Sequence, residues 1–311
     1  MNTRSKKDKT ELLIRTEDVN NLNFLSSVDD FGYTHFRGTD LDILFGFLYI
    51  FRKYSNGCFI MSNKINTNKS FDLGITWECA LQSNGSYRRT MVFPSYIKKN
   101  FKECYNKKGV RFIFILLTFA DMGSCAYGNS TGDAHANLLI YDKKKKLIER
   151  FEPHGCVLKT KEWFESHEFD KTFAPIAKKI FNADYHPACL ACPQTSFQTL
   201  QQREGLMTSL DPGGFCAAWT LAIIELRLKN PDETLKELQL KALKKFELKK
   251  KPLTNIIRNF SQFVVNKRRE LIQKLPKEIQ YQLEHNSDYL EVIPKQYIKK
   301  INNLIVKELK K

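Results

Sequence analysis

Asp211-Pro212-Gly213-Gly214-Phe215-Cys216-Ala217-Ala218-Trp219-Thr220 runs without a break into Leu221-Ala222-Ile223-Ile224-Glu225-Leu226-Arg227-Leu228. The opening four residues spell a turn, since proline presets φ and the glycines accept φ > 0. Beyond Gly214 there is no Gly or Pro until Pro231, and Ala, Leu, Ile, Trp and Glu favour helix. The pattern predicts a largely apolar helix with Cys216 in its first turn. Main-chain N–H groups and the positive end of the helix dipole converge there, which lowers a thiol's pKa and makes thiolate available at neutral pH. The glycines leave room for a substrate carbonyl to approach. Taken alone, a cysteine after a turn packs as a small buried hydrophobe. A nucleophile needs a base, which the rest of the chain must supply.

At 311 residues and 42% apolar content the chain can bury a substantial core. The apolar runs 41–51 and 112–120 are too short for a bilayer, and no run reaches spanning length. The start, Met1-Asn2-Thr3-Arg4-Ser5-Lys6-Lys7-Asp8-Lys9, lacks the apolar core of a signal peptide, so the protein is expected not to be secreted. The net charge of +16, mostly lysine, favours anionic partners. The lysines spread over 143–146, 241–251 and the C-terminal tail, more like solvated faces than one groove. No nucleic-acid-binding motif accompanies them, so such a surface would take nucleic acid non-specifically. The eight cysteines, Cys58, Cys79, Cys104, Cys125, Cys156, Cys189, Cys192 and Cys216, are scattered through a long chain and are expected to be free thiols. Cys189 and Cys192 form the one close pair, and no second pair exists to complete a zinc site. An ordinary buried pair is expected there, with no metal and no cofactor.

In chain order, residues 1–20 are polar and basic and are expected to be disordered. Asp40–Tyr54 reads as a helix with Thr39 or Asp40 as N-cap. Asn56–Ser70 reads as loop, Gly74–Leu81 and Tyr87–Phe93 as short strands, and Pro94–Tyr105 as a helix with proline at its first position. Val110–Phe119 is nearly all apolar and predicts a strand buried on both faces. A Gly/Ser/Asn loop covers Met122–Asp133. His135–Asp142 and Leu147–Glu152 then predict two strands around the tight lysine turn Lys143–Lys146. Glu162–Asn182 reads as helix, Ala183–Leu190 as strand, and Pro193–Gly214 as a loop leading to the cysteine helix, in which Thr199–Asp211, with Gly205 and the exposed-type Gln201, Gln202, Arg203 and Glu204, suits a surface flap. From Asp232 the pattern is helical, with breaks near Pro252, Pro276 and Pro294. A composition shift near Asn230 separates a mixed core, 21–230, from a Lys-rich helical region, 231–311.

The hairpin across Lys143–Lys146 supplies the missing base. His135 opens one strand and Glu152 closes the next, 17 positions on (152 − 135). Laid side by side, the strands bring the imidazole and the carboxylate together, the geometry needed for an acid to hold a base. Asp142 is the competing acid, seven positions past His135 (142 − 135), but an odd offset puts it on the opposite face of an extended strand.

The order His135, Glu152, Cys216, with His opening a strand, the acid ending the next and Cys at a helix start, resembles the adenain and SUMO-protease superfamily of cysteine peptidases. Tyr141-Asp142 resembles its usual Ile-Asp ending. The longer words Glu149-Arg150-Phe151-Glu152-Pro153-His154-Gly155, Cys192-Pro193 with Gln198, Asp211–Trp219, Glu225–Asp232 and Ile257-Arg258-Asn259-Phe260-Ser261 are similar to proteins of nucleocytoplasmic large DNA viruses. The likeness covers roughly His135 to Ser261. It implies an α+β, papain-like/adenain-like fold, with a central, mostly antiparallel sheet packed on the helix that starts at Cys216 and a helical C-terminal region. It implies a nucleophile at Cys216, a general base at His135, an orienting acid at Glu152 and a glutamine donating to the oxyanion beside the Cys216 N–H. SUMO proteases carry that glutamine a few residues before the cysteine. Here the best candidate is Gln198, 18 positions before it (216 − 198), with Gln194, Gln201 and Gln202 as competitors. Ala136 stands where the usual Trp comes after the His, and the acid is Glu rather than the commoner Asp.

The function so implied is a thiol hydrolase cleaving a peptide or isopeptide bond in a viral precursor protein or a ubiquitin-like conjugate, in a virion or the host cytoplasm. Acyl transfer by the same thiol shares the chemistry up to the thioester. A non-catalytic basic virion component or binding module that keeps the fold is the contrasting expectation.

Overall fold

The computed structural model describes residues 34–62, 73–124, 134–156 and 165–285, with isolated positions at 19, 22–23, 300, 303–304 and 307. Most of the segment 1–20, Cys125 and Pro294 lie outside the described residues.

The apolar run read as a doubly buried strand becomes β4, Phe112–Ser124. Successive side chains leave a strand on opposite sides. Phe112, Phe114 and Leu116 enter one core, and Ile113, Ile115, Leu117 and Phe119 enter another. A sheet apolar on both faces requires helices on both faces. The second half of the chain's helices covers one side: α5 (Phe197–Arg203), α6 (Cys216–Lys229), α7 (Leu235–Leu248) and α8 (Leu253–Ile272), joined there by α1 (Asp40–Lys53). On the other side lie α2 (Tyr96–Asn106) and α3 (Ser166–Phe181). A one-turn helix, α4 (Ala188–Ala191), precedes α5, and α9 (Lys277–His285) comes after α8. Thr39 is the N-cap of α1, its side chain accepting the Asp42 N–H.

The sheet has β1 (Gly57–Ile60), β2 (Gly74–Leu81), β3 (Tyr87–Val92), β4, β5 (Ala134–Asp142), β6 (Leu147–Phe151) and β7 (Asp184–His186). Its order is β3-β2-β4-β5-β6-β7, and β1 shares the β2 side of β4. The β4–β5–β6 meander is antiparallel, as is the β2–β3 hairpin. β1 and β2 on β4, and β7 on β6, are parallel. The fold is thus mixed α/β with an antiparallel centre, and the expected antiparallel character belongs to that centre.

Helix α6 is buried along its length, every residue from Ala217 to Leu228 included. A helix apolar all round belongs in an interior. Its two charged interior residues are paired. Glu225 accepts from the Tyr54 hydroxyl at 2.7 Å and from Lys53 at 3.3 Å, and Arg227 donates to Glu149 at 3.1 Å. Breaking a buried pair costs several kcal/mol, so these contacts fix how the helix is rotated and where Cys216 points.

Five sequence expectations are corrected. Four of the thiols read as free form disulfides, Cys58–Cys104 and Cys156–Cys189, with Cα atoms 5.8 Å and 4.3 Å apart. Partners 46 and 33 residues apart leave no spacing signature, because the fold rather than the sequence brings them together. The Cys189/Cys192 pair is divided: Cys192 stays free and buried, its thiol donating to the Arg150 carbonyl at 3.5 Å. The loop read over 56–70 holds β1, whose Cys58-Phe59-Ile60 pairs with Ile113-Phe114-Ile115 of β4. The segment 183–190 is strand only over Asp184–His186 before α4 begins, and the loop read over 193–214 contains α5.

Candidate active site

The lysine turn sets the pairing of β5 with β6, with Leu138 opposite Phe151 and Leu139 opposite Arg150. Further out on the two strands stand His135 and Glu152. His135 Nε2 and Glu152 Oε1 are 2.6 Å apart, and the carboxylate is fully buried. The same oxygen accepts the His154 main-chain N–H at 3.0 Å. Arg150 stands 3.7 Å from Glu152 Oε2 and is itself held by Asp170 in a two-pronged pair at 2.9 and 3.0 Å and by Asn137 at 2.8 Å. Burial alone would raise a carboxyl's pKa. The charge and hydrogen bond of His135, then the charges of Arg150 and His154, outweigh it and hold Glu152 at about 2. Burial likewise works against a charged His135, yet Glu152 and the bond to Cys216 push it up to about 10. Both shifts favour the imidazolium–carboxylate form of the pair.

Cys216 is half-buried at the head of α6. Burial raises a thiol's pKa, but the hydrogen bond and charge of His135, with the N–H groups of Ala136 and Ala217, bring Cys216 below its ordinary value. With Nε2 on Glu152, the imidazole nitrogen left for the sulfur is Nδ1. The other free thiols behave differently: burial pushes Cys79 and Cys192 up to about 11. Cys216 is therefore the free thiol, among the described residues, whose surroundings favour the thiolate.

His135 and Cys216 open on a cleft of about 690 Å³, whose lining also includes Gly213, Gly214, His154, Gln198 and Gln202, with Glu152 buried behind His135. Gln198 reaches it by a route the sequence did not show. The turn after Glu152 is laced to the segment before α5: Cys156 donates to the Pro193 carbonyl at 2.9 Å, Ser196 to that of His154 at 3.1 Å, and Gln198 to that of Pro153 at 2.9 Å. The Cys156–Cys189 disulfide ties the same turn to α4. Gln198 is buried, and its Nε2 lies 3.1 Å from where a Cβ on Gly214 would stand.

The competing glutamines fall elsewhere or in part. Gln194 donates to the Cys156 carbonyl at 3.3 Å on the surface, and Gln201, read as a surface-loop residue, is fully buried against Thr254. Gln202 is exposed on the cleft rim. Asp142 sits at the far end of β5, bonded to Arg111 at 3.2 Å and 3.8 Å from Arg227.

The 204–211 segment is pinned rather than loose. The Glu204 carboxylate accepts the Leu253 and Thr254 N–H groups at the head of α8, at 2.6 and 2.9 Å. Arg258 grips Asp211 through two bonds of 2.8 and 2.6 Å. His135, Glu152 and His154 also offer ligand atoms within 4.8 Å of one another. A metal there would have to displace the proton shared by His135 and Glu152, since ligands bind deprotonated. That donor set is already committed to the ion pair.

The sequence alone gave no role to His154, Arg150 or Thr199. The adjacency of Pro153 and Gly155 around His154 was the available signal, because it forces a turn directly after the acid.

No family model matches the chain. The mimivirus protein "Putative ankyrin repeat protein L371" (Acanthamoeba polyphaga mimivirus) is 25% identical over 271 residues, covering 79% of this chain and 34% of that protein. The chain spans about a third of that relative's length. Among solved structures it is similar to the Chlamydia trachomatis effector ChlaDUB1, at 12% identity over 80% of this chain and 87% of that one, with a TM-score of 0.37. It is also similar to the Legionella pneumophila effector RavZ, at 10% identity over 86% and 77%, with a TM-score of 0.35. A C. trachomatis Cdu1 structure bound to ubiquitin overlaps at 12% identity over 76% and 94%, again with a TM-score of 0.35. No described helix is long and apolar enough to cross a membrane.

Proposed function

We propose that the chain is a cysteine peptidase that hydrolyses a peptide or isopeptide bond, with Cys216 as nucleophile, His135 as acid and base, Glu152 as its orienting acid and Gln198 as an oxyanion donor. The observation that carries the reading is the continuous bonding from buried Glu152 through His135 to a half-buried thiol that opens on a cleft. A carboxylate that fixes a histidine's tautomer and stabilises its charged form is what nucleophilic catalysis requires.

The sulfur of the thiolate adds to the scissile carbonyl carbon, and the π electrons move to oxygen. The Cys216 N–H and the Gln198 amide donate to that oxyanion. As the C–N bond breaks, the amine takes the proton from His135 and leaves a thioester. Water then adds to the thioester, giving its proton to His135; the C–S bond breaks, and acid and thiolate separate. Glu152 stays ionised throughout. The substrate class proposed is a viral precursor protein or a ubiquitin-like conjugate.

Iodoacetamide labelling with peptide mapping tests the arming of the thiol: Cys216 should react first among the free cysteines. A panel of ubiquitin-like activity probes, with Cys216→Ala as control, tests the substrate class. Uniform, slow labelling of all free thiols would favour the non-catalytic reading.

A further inference from the structure

His154 stands beside the dyad, its ring 5.0 Å from that of His135, and lines the cleft. Its hydrogen bonds favour the Nδ1–H tautomer. The Thr199 hydroxyl donates its one proton to the His154 carbonyl at 3.0 Å. Toward the ring, 3.1 Å away, that hydroxyl can then only accept, so His154 Nδ1 carries the hydrogen. The lone pair is left on Nε2, which has no hydrogen-bond partner among the described residues.

The charged groups that face the ring are Glu152 and His135; α5 contributes Gln198, Thr199 and Gln202, which are uncharged. Burial is the main influence and lowers His154 to about 4, with the His135 charge acting the same way and Glu152 opposing. A neutral acceptor is thus held beside the dyad, in a cleft whose lining also carries the donors Arg37, Gln198, Gln202 and His135 and, from the head of α1, the acceptor Asp40. An extended peptide brings both C=O and N–H groups, and the N–H groups need an acceptor.

We propose that His154 is a substrate-positioning residue whose Nε2 accepts a main-chain N–H of the peptide occupying the cleft. The proposal rests on the cysteine-peptidase reading. The ring orients the chain of the substrate without touching the proton transfers at Cys216.

Acetyl-tripeptide aldehydes test it. The thiol adds across the aldehyde, sulfur to carbon and proton to oxygen, and so protects Cys216 from iodoacetamide. From a positional library of these aldehydes the best protector is chosen, and each of its backbone N–H groups is replaced in turn by an ester oxygen. In the native protein, one replacement should weaken inhibition about five- to ten-fold, the effect of a single lost hydrogen bond. In His154→Ala the same replacement should cost less than about two-fold, and His154→Gln, which keeps an acceptor, should restore part of the sensitivity. No sensitive position in the native protein, or equal sensitivity in His154→Ala, overturns the role of His154 while leaving the peptidase reading intact. A library in which nothing protects Cys216 overturns both. Nitrogen-15 NMR of the native protein checks the premise without a variant: His154 should remain the neutral Nδ1–H tautomer at pH 6, and an imidazolium or Nε2–H signal there overturns the proposal.

Discussion

Gly155→Ala should be strongly damaging for a single added methyl. Gly155 has φ of 101°, where an L-residue is strained by about 1–3 kcal/mol. An added Cβ would also meet the Pro193 carbonyl oxygen at 2.7 Å, that of Gln194 at 2.9 Å and the Ser196 nitrogen at 2.9 Å. These are main-chain atoms and cannot rotate away. Two of them belong to the lacing bonds, Cys156 to Pro193 and Ser196 to His154. Relieving the contact pulls the two segments apart and weakens both bonds, at about 1 kcal/mol each. The sum is about 3–5 kcal/mol, a large part of a domain's usual margin of about 5–15 kcal/mol. Urea unfolding of both forms measures it. Turnover should fall further than the folded fraction explains, because Gln198 is carried on the displaced segment while His135 and Glu152 stay on the hairpin side. A stability loss below about 1 kcal/mol would show that the turn and the α5 segment are not mechanically joined, and the account of how Gln198 reaches the cleft would fall with it.

Cys216→Ala should abolish turnover and leave the unfolding curve nearly unchanged; full activity in the purified variant would end the nucleophile assignment. His135→Ala should lose nearly as much, and the double variant little more, because the two act as one unit; strictly additive losses in kcat/KM would contradict that. Glu152→Gln should cost less than His135→Ala, and its loss of stability should depend on pH. His135 is raised from 6.5 to about 10, so its contribution is complete below 6.5 and fades as pH climbs toward 10. Glu152 is lowered from 4.5 to about 2, so its contribution is complete above 4.5 and fades as pH falls toward 2. The native protein's advantage over Glu152→Gln should therefore peak between these limits, and urea midpoints whose gap stayed flat from pH 4 to pH 9 would refute the ion pair. Gln198→Ala should lower kcat about a hundred- to a thousand-fold with KM and thiol labelling nearly intact; a rise in KM alone would mark Gln198 as a binding residue.

Local geometry made part of the site legible in the sequence. The four-lysine turn sets a register, and the register brings Glu152 to His135. A Pro-Gly-Gly turn before an apolar run places Cys216 at the head of α6. Features that depend on partners far along the chain stayed hidden. Gln201 looked like a surface residue because its neighbours are polar, yet it is buried against Thr254, 53 positions away. Cys156 and Cys189 gave no sign of pairing, since they meet only once the turn and α4 have been laced together. β1 was hidden because four residues make too short an apolar signal. His154 was legible as part of a word, but its neutrality depends on burial and its tautomer on one threonine hydroxyl on another element.

The grip of Arg258 on Asp211 has a consequence for the order in which the protein is made. The turn that aims Cys216 is anchored by a residue translated 42 positions later (258 − 216). At about 5–20 residues per second, the ribosome leaves roughly 2–8 seconds between the two, besides the time α8 needs to clear the exit tunnel. During that interval the nascent chain carries the thiol without the clamp on its turn, and Cys216 is expected to be less reactive. Stalled chains ending before and after Arg258 has cleared the ribosome, pulsed with iodoacetamide, would show Cys216 labelling slow in the first and fast in the second. Equal rates would mean that the turn holds itself.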